Sequence, residues 1–291
     1  MTTFIYPLTD PVVFSIGPFT GNWYGLWFEA GILLATIYSQ WLSKKTGMTL
    51  KREDLSFLIF SGAIIILAGS RIGYILTATS YSFSADPYAV LRFWEGGTSV
   101  YGALIASGLF LAGYAGYTGK AFLSLSDAVV PAGFIAVMAA SAGDISNGVH
   151  WGSVSPHLPW AVLFPLAGCE DAVLSTECAL YRTIMAQNGH GLLPRHPLQV
   201  YEFLLGMVFT AAVSLTARMK REITGYATSV FLISCGSYKL LTLILQTEVT
   251  QNLLDPGSRE ATSLLLGAIV VTGGLFLMQA VTGRCRTAPV H

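Results

Sequence analysis

The stretch Ser141-Ala142-Gly143-Asp144-Ile145-Ser146-Asn147-Gly148-Val149-His150-Trp151-Gly152 is where an apolar helix gives way to polar chain. Irregular polar backbone at membrane depth is tolerated only where it lines a cavity or packs within protein, and ionisable residues there indicate function by default. We therefore predict a functional site around this stretch. The alternatives are an ordinary Asn-Gly turn and a helix cap formed by Asp144.

The composition is that of a membrane protein. Of the 291 residues, 53% are hydrophobic and only 11% are charged. Apolar runs near the bilayer-spanning length of about 20 residues recur along the whole chain, so we predict an all-α integral membrane protein with a single membrane domain, 1–291. The formal net charge of zero argues against a nucleic-acid partner. The four cysteines match no metal-binding spacing, and neither a metal nor a cofactor is predicted.

Seven apolar stretches predict transmembrane helices. The predicted spans are Trp23–Trp41, Leu55–Leu76, Ser99–Tyr117, Ser126–Ala142, Leu198–Ala217, Tyr226–Leu245 and Ser263–Val281. The fourth and fifth are separated by an insertion at about 147–196 that four prolines interrupt. We predict that this insertion forms a small external, periplasmic subdomain.

The distribution of lysine and arginine orients the bundle. Alternating loops and the C-terminus carry ten of these residues: Lys44, Lys45, Lys51, Arg52, Lys120, Arg218, Lys220, Arg221, Arg284 and Arg286. The opposite loops carry four: Arg92, Arg182, Arg195 and Arg259. The positive-inside rule then predicts an external N-terminus and a cytoplasmic C-terminus in a bacterial inner membrane.

Ionisable residues inside the predicted spans point to a polar interior. They are Glu29, Arg71, Asp127, Asp144, Glu202 and Lys239. Each costs a few kcal/mol at the bilayer centre unless it pairs or faces a wet cavity. The polar residues nearest the external ends of the spans are expected to converge on one site, where an arginine can hold a phosphate. The alternative is structural ion pairing, such as Arg71 with Asp127 or Glu202.

Several motifs identify a family. They are Asp10-Pro11-Val12 with Phe14-Ser15-Ile16-Gly17-Pro18, Trp23-Tyr24-Gly25-Leu26, Arg71-Ile72-Gly73-Tyr74, Trp94-Glu95-Gly96-Gly97-Thr98-Ser99, Ser126-Asp127, Asn147-Gly148 with Trp151-Gly152, and Leu193-Pro194-Arg195-His196-Pro197 with Gln199, Tyr201 and Glu202. In order and spacing, the chain resembles the bacterial phosphatidylglycerol–prolipoprotein diacylglyceryl transferases over nearly its full length. The resemblance implies seven spans with an external N-terminus. It also implies transfer of the diacylglyceryl group of phosphatidylglycerol to a lipoprotein cysteine thiol, with glycerol phosphate as the leaving group.

The chain departs from the family pattern at residues that the family uses for its reaction. Tyr101 stands where the family has a histidine, and Ser141 and Lys239 stand where it has arginines. The remaining departures are Asp144 for an asparagine, Val149 and Leu243 for glutamates, and Gln246 for an arginine. Because fixed cations stabilise a departing phosphate and lysine lacks the bidentate fork of arginine, the usual residues cannot carry the usual reaction.

If the chain is an enzyme, other residues must replace the family's catalytic ones. His150 is a candidate general base with Asp144 as its orienting carboxylate, although a histidine at an interface is more often simply hydrogen-bonded. The candidate catalytic residues are Tyr101, Asp144, His150 and Lys239. The candidate substrate-binding residues are Tyr24, Arg71, Asn147, Gly152 and Arg195.

We therefore predict a diverged member of this family that acts on a membrane phospholipid such as phosphatidylglycerol and transfers its diacylglyceryl group to a lipoprotein-type acceptor. Two alternatives stay open. One is a catalytically inactive paralogue that binds lipid or a lipoprotein precursor, and the other is a transferase with a non-cysteine acceptor. In the external insertion, Cys169 and Cys178 are expected to form a disulfide if that side is oxidising, the alternative being two free thiols.

Overall fold

The computed structural model describes residues 4–7, 10, 12–16, 19–46, 50–77, 99–167, 194–220, 222–246 and 259–287. Its helices are α1 (Trp23–Thr46), α2 (Arg52–Thr77), α3 (Val100–Thr118), α4 (Phe122–Val129), α5 (Gly133–Asn147), α6 (Leu198–Met219), α7 (Tyr226–Leu245) and α8 (Arg259–Thr287). Its strands are β1 (Phe4–Ile5), β2 (Val12–Ile16), β3 (Phe19–Asn22), β4 (Val162–Leu163) and β5 (Pro194–Arg195).

Six helical segments of the described chain are long and apolar enough to cross a membrane. They are Arg52–Leu76, Val100–Thr118, Phe122–Asn147, Leu198–Met219, Tyr226–Leu245 and Ala261–Gly283. The third combines α4 and α5 through a turn of 3-10 helix at Val130–Ala132, where Pro131 supplies no backbone N–H. An integral membrane protein of mainly helical structure is thereby confirmed.

The first predicted span remains a prediction. Helix α1 has 24 residues, which corresponds to about 36 Å and is long enough to cross a bilayer. Glu29, Gln40 and two terminal lysines lower its mean hydropathy, and it is not one of those six segments. It nevertheless packs along α5, with further contacts to α2.

The aromatic core lies between α5, α6 and α7. Phe134 is only 1% exposed, and its ring contacts Phe209, Phe231 and Tyr238 at centroid distances of 5.2, 5.4 and 6.2 Å. Helix α7 also packs against α8, and α2 packs against α3. These contacts fix the rotation of α5, α6 and α7, and so they determine which polar residues meet at one end of the bundle.

Asp127 has a structural role in this arrangement. Its carboxylate accepts hydrogen bonds from the Gly225 backbone N–H at 2.6 Å and from the backbone and hydroxyl of Thr228 at 2.8 and 2.6 Å. The carboxylate therefore caps the N-terminus of α7, and the alternative of an Asp127–Arg71 ion pair is wrong.

A small sheet closes the bundle beside the end of α5. β1 pairs in parallel with β4, and β4 pairs antiparallel with β5. The sheet joins the extreme N-terminus to two parts of the predicted insertion, whose position outside the membrane remains a prediction. Residues 168–193 are outside the described chain, and so is the expected Cys169–Cys178 disulfide.

Candidate functional site

The site is built on the turn that ends α5. Gly148 is the C-cap residue with φ 63°, a left-handed conformation that glycine adopts without strain, so the Asn-Gly turn prediction is correct here. His150 also has a positive φ of 64°. Asp144 lies in the last turn of α5 and accepts from the Val149 N–H at 3.2 Å through its backbone carbonyl. It is therefore not the N-cap of a helix, and its side chain is available to the site.

The segment before α6 holds this turn in place. Gln199, which is 1% exposed, donates from Nε2 to the Val149 carbonyl at 2.6 Å. Gly152 donates its N–H to the His196 carbonyl at 2.9 Å, and Arg195 Nη1 donates to the Gly152 carbonyl at 3.3 Å. Arg195 is 2% exposed, so it supports the loop from within, whereas the sequence predicted it as a substrate-binding residue.

A polar cluster forms where the ends of α5, α6 and α7 meet. His150 Nε2 lies 3.4 Å from Glu202 Oε1, and the Glu202 side chain is only 8% exposed. The hydroxyl of Tyr238 hydrogen-bonds to Glu202 as well. Asp144 and Lys239 lie within electrostatic reach of Glu202 and His150. The structure thus brings together three of the four predicted catalytic residues, with Glu202 at their centre.

The ionisation of His150 responds to this cluster. The hydrogen bond to Glu202 raises the pKa of His150 above its ordinary value of 6.5, and burial opposes that effect. The side chain is 43% exposed, so solvent screens the interaction in part. Glu202 therefore orients the imidazole and favours its protonated form.

Helix α1 brings Tyr24 to the same place. A Cβ atom added to Gly143 would lie only 2.7 Å from Tyr24 Cδ2, so the ring packs directly against the α5 backbone. One turn further along, Trp27 Nε1 donates to Ser146 Oγ at 2.8 Å. Tyr24 interacts electrostatically with Asp144 and Glu202 and so lies at the edge of the polar cluster.

Two further predicted residues are Tyr101 and Arg71. The Tyr101 hydroxyl donates to the Ser263 carbonyl of α8 at 2.5 Å. Arg71 is 1% exposed and lies with Cζ 5.9 Å from the Tyr74 ring of its own helix. Asn147 remains at the turn, and its buried Oδ1 accepts no hydrogen bond within the described part of the chain.

Glu202 was among the polar residues expected to converge near the external ends of the spans. Sequence reasoning assigned no catalytic or binding role to Glu202, Gln199, Tyr238 or Tyr6. Glu202 and Gln199 lie three residues apart on one face of α6, a spacing that could have indicated their joint role. Tyr238 directly precedes Lys239. Tyr6 donates from its hydroxyl to the Ile145 carbonyl and stacks on Phe164 at 5.2 Å, and burial raises its pKa. No local pattern links Tyr6 to α5.

No group of three metal-ligating side chains lies together in the described residues.

Comparison with known proteins places this geometry in context. A sequence model described as prolipoprotein diacylglyceryl transferase matches residues 11–280. A phosphatidylglycerol–prolipoprotein diacylglyceryl transferase of Serratia proteamaculans is 31% identical over 280 residues, which cover 96% of each chain. Proteins of the same name from Erwinia tasmaniensis and Escherichia coli are 33% and 34% identical over 237 residues, covering 81% of this chain and 80% of theirs.

Proposed function

The chain belongs to the prolipoprotein diacylglyceryl transferase family, and from that premise we propose that it transfers the diacylglyceryl group of phosphatidylglycerol to a lipoprotein-type acceptor. The observation that carries the proposal is the contact between His150 and Glu202 at the end of α5. Tyr24, Asn147 and Gly152 match the family motifs. Tyr24 lies at the edge of the cluster, and Asn147 and Gly152 flank His150 in the chain. His150 would thus supply a new base beside the residues that the chain shares with the family.

The proton transfer follows from the geometry of this pair. Glu202 accepts the hydrogen on His150 Nε2, and Nδ1 is then the nitrogen that can take a proton. The acceptor thiol loses its proton to Nδ1, the sulfur forms a bond to the terminal glyceryl carbon, and the bond from that carbon to the phosphate oxygen breaks. Glycerol phosphate leaves with the electron pair. Positioned bases of this kind contribute about 100-fold to 10,000-fold to a rate.

The departing phosphate requires positive charge. Lys239 lies within electrostatic reach of Glu202 and His150 and is the cation of the cluster that is not a base. Asp144 and Glu202 oppose the approach of an anion, so Lys239 must offset them before phosphate can bind. The imidazolium that His150 becomes on taking the thiol proton adds a second positive charge as the phosphate departs. We therefore expect slower turnover than in relatives that retain both family arginines.

We further propose the orientation that the charged loops indicate. The cluster would then face the outer leaflet of a bacterial inner membrane, with the N-terminus external and the C-terminus cytoplasmic. Seven spans, with α1 included, are required for this arrangement.

The decisive experiment measures glycerol-phosphate release from labelled phosphatidylglycerol by the purified protein. A peptide with the lipoprotein acceptor cysteine is compared with its serine counterpart. We expect release with the cysteine peptide alone, and a loss of at least about 100-fold in His150→Ala. His157→Ala is the matched control, because His157 is exposed in the loop beyond the site. Release that persists undiminished in His150→Ala would refute the proposed base. Release with either peptide would indicate a non-cysteine acceptor.

A catalytically inactive, lipid-binding paralogue is the second candidate, and a specific observation favours it. Ser141 is 1% exposed and donates its hydroxyl to the Val137 carbonyl of its own helix at 3.0 Å, while the Tyr101 hydroxyl is held by α8. Neither residue replaces the charge or the base of the family pattern. Phosphatidylglycerol bound without release would select this candidate.

The triple variant Tyr101→His, Ser141→Arg and Lys239→Arg tests whether the donor pocket of the family is retained. If the retained donor pocket is intact, the three changes together should raise release with the cysteine peptide, and any single change should not. Residues that act as a unit are strongly non-additive, which is why the single variants form the control.

A further inference from the structure

A second feature lies at the far end of the bundle from the polar cluster. Two cations from different helices approach the same indole ring: Lys45 Nζ is 4.2 Å and Arg218 Cζ is 4.8 Å from the Trp41 ring. The Tyr38 ring lies 5.7 Å from the Trp41 ring, and the Tyr38 hydroxyl donates to Ser214 at 2.6 Å. This bond ties α1 to α6 one turn before the two cations, so their convergence is built into the packing.

The basic-aromatic patch consists of Trp41, Lys45 and Arg218, and its two cations lie at the surface. Neither cation forms an ion pair with any acidic side chain in the described ranges, and both are exposed. Trp41 is 42% exposed. Lys120 offers a contrast, because it pairs with Asp54 at 2.7 Å. Two like charges held over one ring repel each other, and an external anion between them would remove that repulsion.

The patch is at membrane-interface depth. Trp41 follows Tyr24 on α1 by 17 positions, and Arg218 follows Glu202 on α6 by 16 positions. At 1.5 Å per residue the two ends are separated by about 25 Å along both helices, close to the thickness of the hydrocarbon core. Tryptophan is enriched at this depth, and lysine and arginine side chains extend from it towards the headgroups. The patch and the polar cluster therefore face opposite leaflets.

We propose that Trp41, Lys45 and Arg218 bind the phosphate headgroup of an anionic phospholipid in the leaflet opposite the polar cluster. The cations contact the phosphodiester, and the exposed indole lies against the glycerol and upper acyl chains. The site is separate from the proposed donor site, and it does not depend on catalysis. The C-terminal dipoles of α1 and α6 also attract these cations, so the test must hold that contribution constant.

The test compares two double variants that each remove two positive charges from the same helix ends. Lys45→Gln with Arg218→Gln removes the cations over Trp41. Lys44→Gln with Lys220→Gln removes exposed neighbours that do not contact the ring. Native mass spectrometry of the protein in detergent micelles is used to measure binding of dioleoylphosphatidylglycerol and of dioleoylphosphatidylcholine to wild type and to both variants.

We expect the first variant to bind phosphatidylglycerol about tenfold more weakly than wild type at its tightest site outside the polar cluster, since each surface cation contributes measurably to binding anionic lipid. The second variant should stay within about threefold of wild type, and phosphatidylcholine binding should be unchanged in both. Equal losses in the two variants would show a general charge effect and overturn the proposal, as would equal affinity for the two lipids. Glycerol-phosphate release, if wild type shows it, should persist in the first variant, so failure here is distinguishable from failure of the proposed function.

Discussion

His150 is held in a conformation that it would not adopt alone. A non-glycine residue with a φ of 64° carries a backbone cost of about 1–2 kcal/mol, although histidine tolerates this region better than most residues. Gln199 fixes the preceding carbonyl, and the preceding Gly148 makes the same left-handed turn. The result directs the imidazole at Glu202. Strain of this kind at a polar cluster supports a functional role for the residue.

The first prediction concerns the pH dependence that His150 confers on stability. Because the Glu202 hydrogen bond raises the folded-state pKa of His150 above its ordinary 6.5, its stabilising contribution is complete below that value. This stabilising contribution is lost as the pH rises through the raised folded-state pKa of His150. Partial exposure limits its size to about 1 kcal/mol or less. Thermal unfolding of wild type and His150→Ala should therefore differ most near about pH 5.5 and least near about pH 8.5.

Two further variants make this measurement specific. Glu202→Gln removes the partner charge and should abolish the pH-dependent part of the difference. His157→Ala should follow wild type at every pH, since its side chain is exposed away from the cluster. A difference between wild type and His150→Ala that grows with rising pH would contradict the sign derived from Glu202.

At this scale the sequence predicted the members of the cluster better than their pairing. Of the candidate catalytic residues, Asp144, His150 and Lys239 lie in the cluster, whereas the Tyr101 hydroxyl donates to the Ser263 carbonyl of α8. The orienting carboxylate expected for His150 was Asp144, whereas the carboxylate nearest the imidazole is Glu202. Which of two acids faces a histidine depends on how α5 and α6 rotate against each other. That rotation is fixed by packing around Phe134, which no local pattern records.

At the scale of elements, the start of α7 depends on one carboxylate. The first backbone N–H groups of a helix have no partner within it, and in an apolar bundle water cannot replace the missing partner. Asp127 accepts from two of these N–H groups and from the Thr228 hydroxyl. Because Asp127 lies on α4, this cap also joins α4 to α7 at the end of the bundle opposite the polar cluster.

The second prediction is that Asp127→Ala destabilises the protein by about 2–3 kcal/mol, since it removes three hydrogen bonds to a charged acceptor. Denaturant unfolding of the purified protein measures this loss. Hydrogen exchange at Gly225 and Thr228 should accelerate more than exchange in the middle of α7. Ser124→Ala, an exposed change on the same helix, is the control and should leave both quantities unaltered. An unfolding midpoint that Asp127→Ala does not move would contradict the capping role.

Helix boundaries were largely predictable because apolar length is a strong signal in a membrane protein. The predicted span Tyr226–Leu245 coincides with α7, and the predicted start at Leu198 coincides with that of α6. The small sheet was not predicted. Its strands β1, β4 and β5 have two residues each, and pairing across about 160 residues of sequence leaves no periodicity to detect.

At the scale of the whole molecule, charge is segregated between the two ends of the bundle. The described basic side chains at the end that carries the basic-aromatic patch are Lys44, Lys45, Lys51, Arg52, Lys120, Arg218 and Lys220. The other end carries the polar cluster and the small sheet. The sequence predicted this polarity because alternating loops carry the positive charge. It predicted seven spans from apolar length, and α1 is the one whose composition leaves that number open.

The third prediction concerns α1 and the orientation of the bundle together. If α1 crosses the membrane, the exposed positions Asp10 and Lys44 lie on opposite sides, and if it does not, they lie on the same side. Single cysteines are introduced at Asp10, Lys44, Lys120 and His157 after the native cysteines are replaced by serine. A membrane-impermeant maleimide applied to intact spheroplasts should label the cysteines at 10 and 157. Those at 44 and 120 should react only after permeabilisation. Because loops rich in lysine and arginine are retained in the cytoplasm, labelling at 120 but not at 157 would invert the proposed orientation. Labelling at both 10 and 44 would remove α1 from the set of spans and place the Tyr24 contact on a helix that lies outside the bilayer.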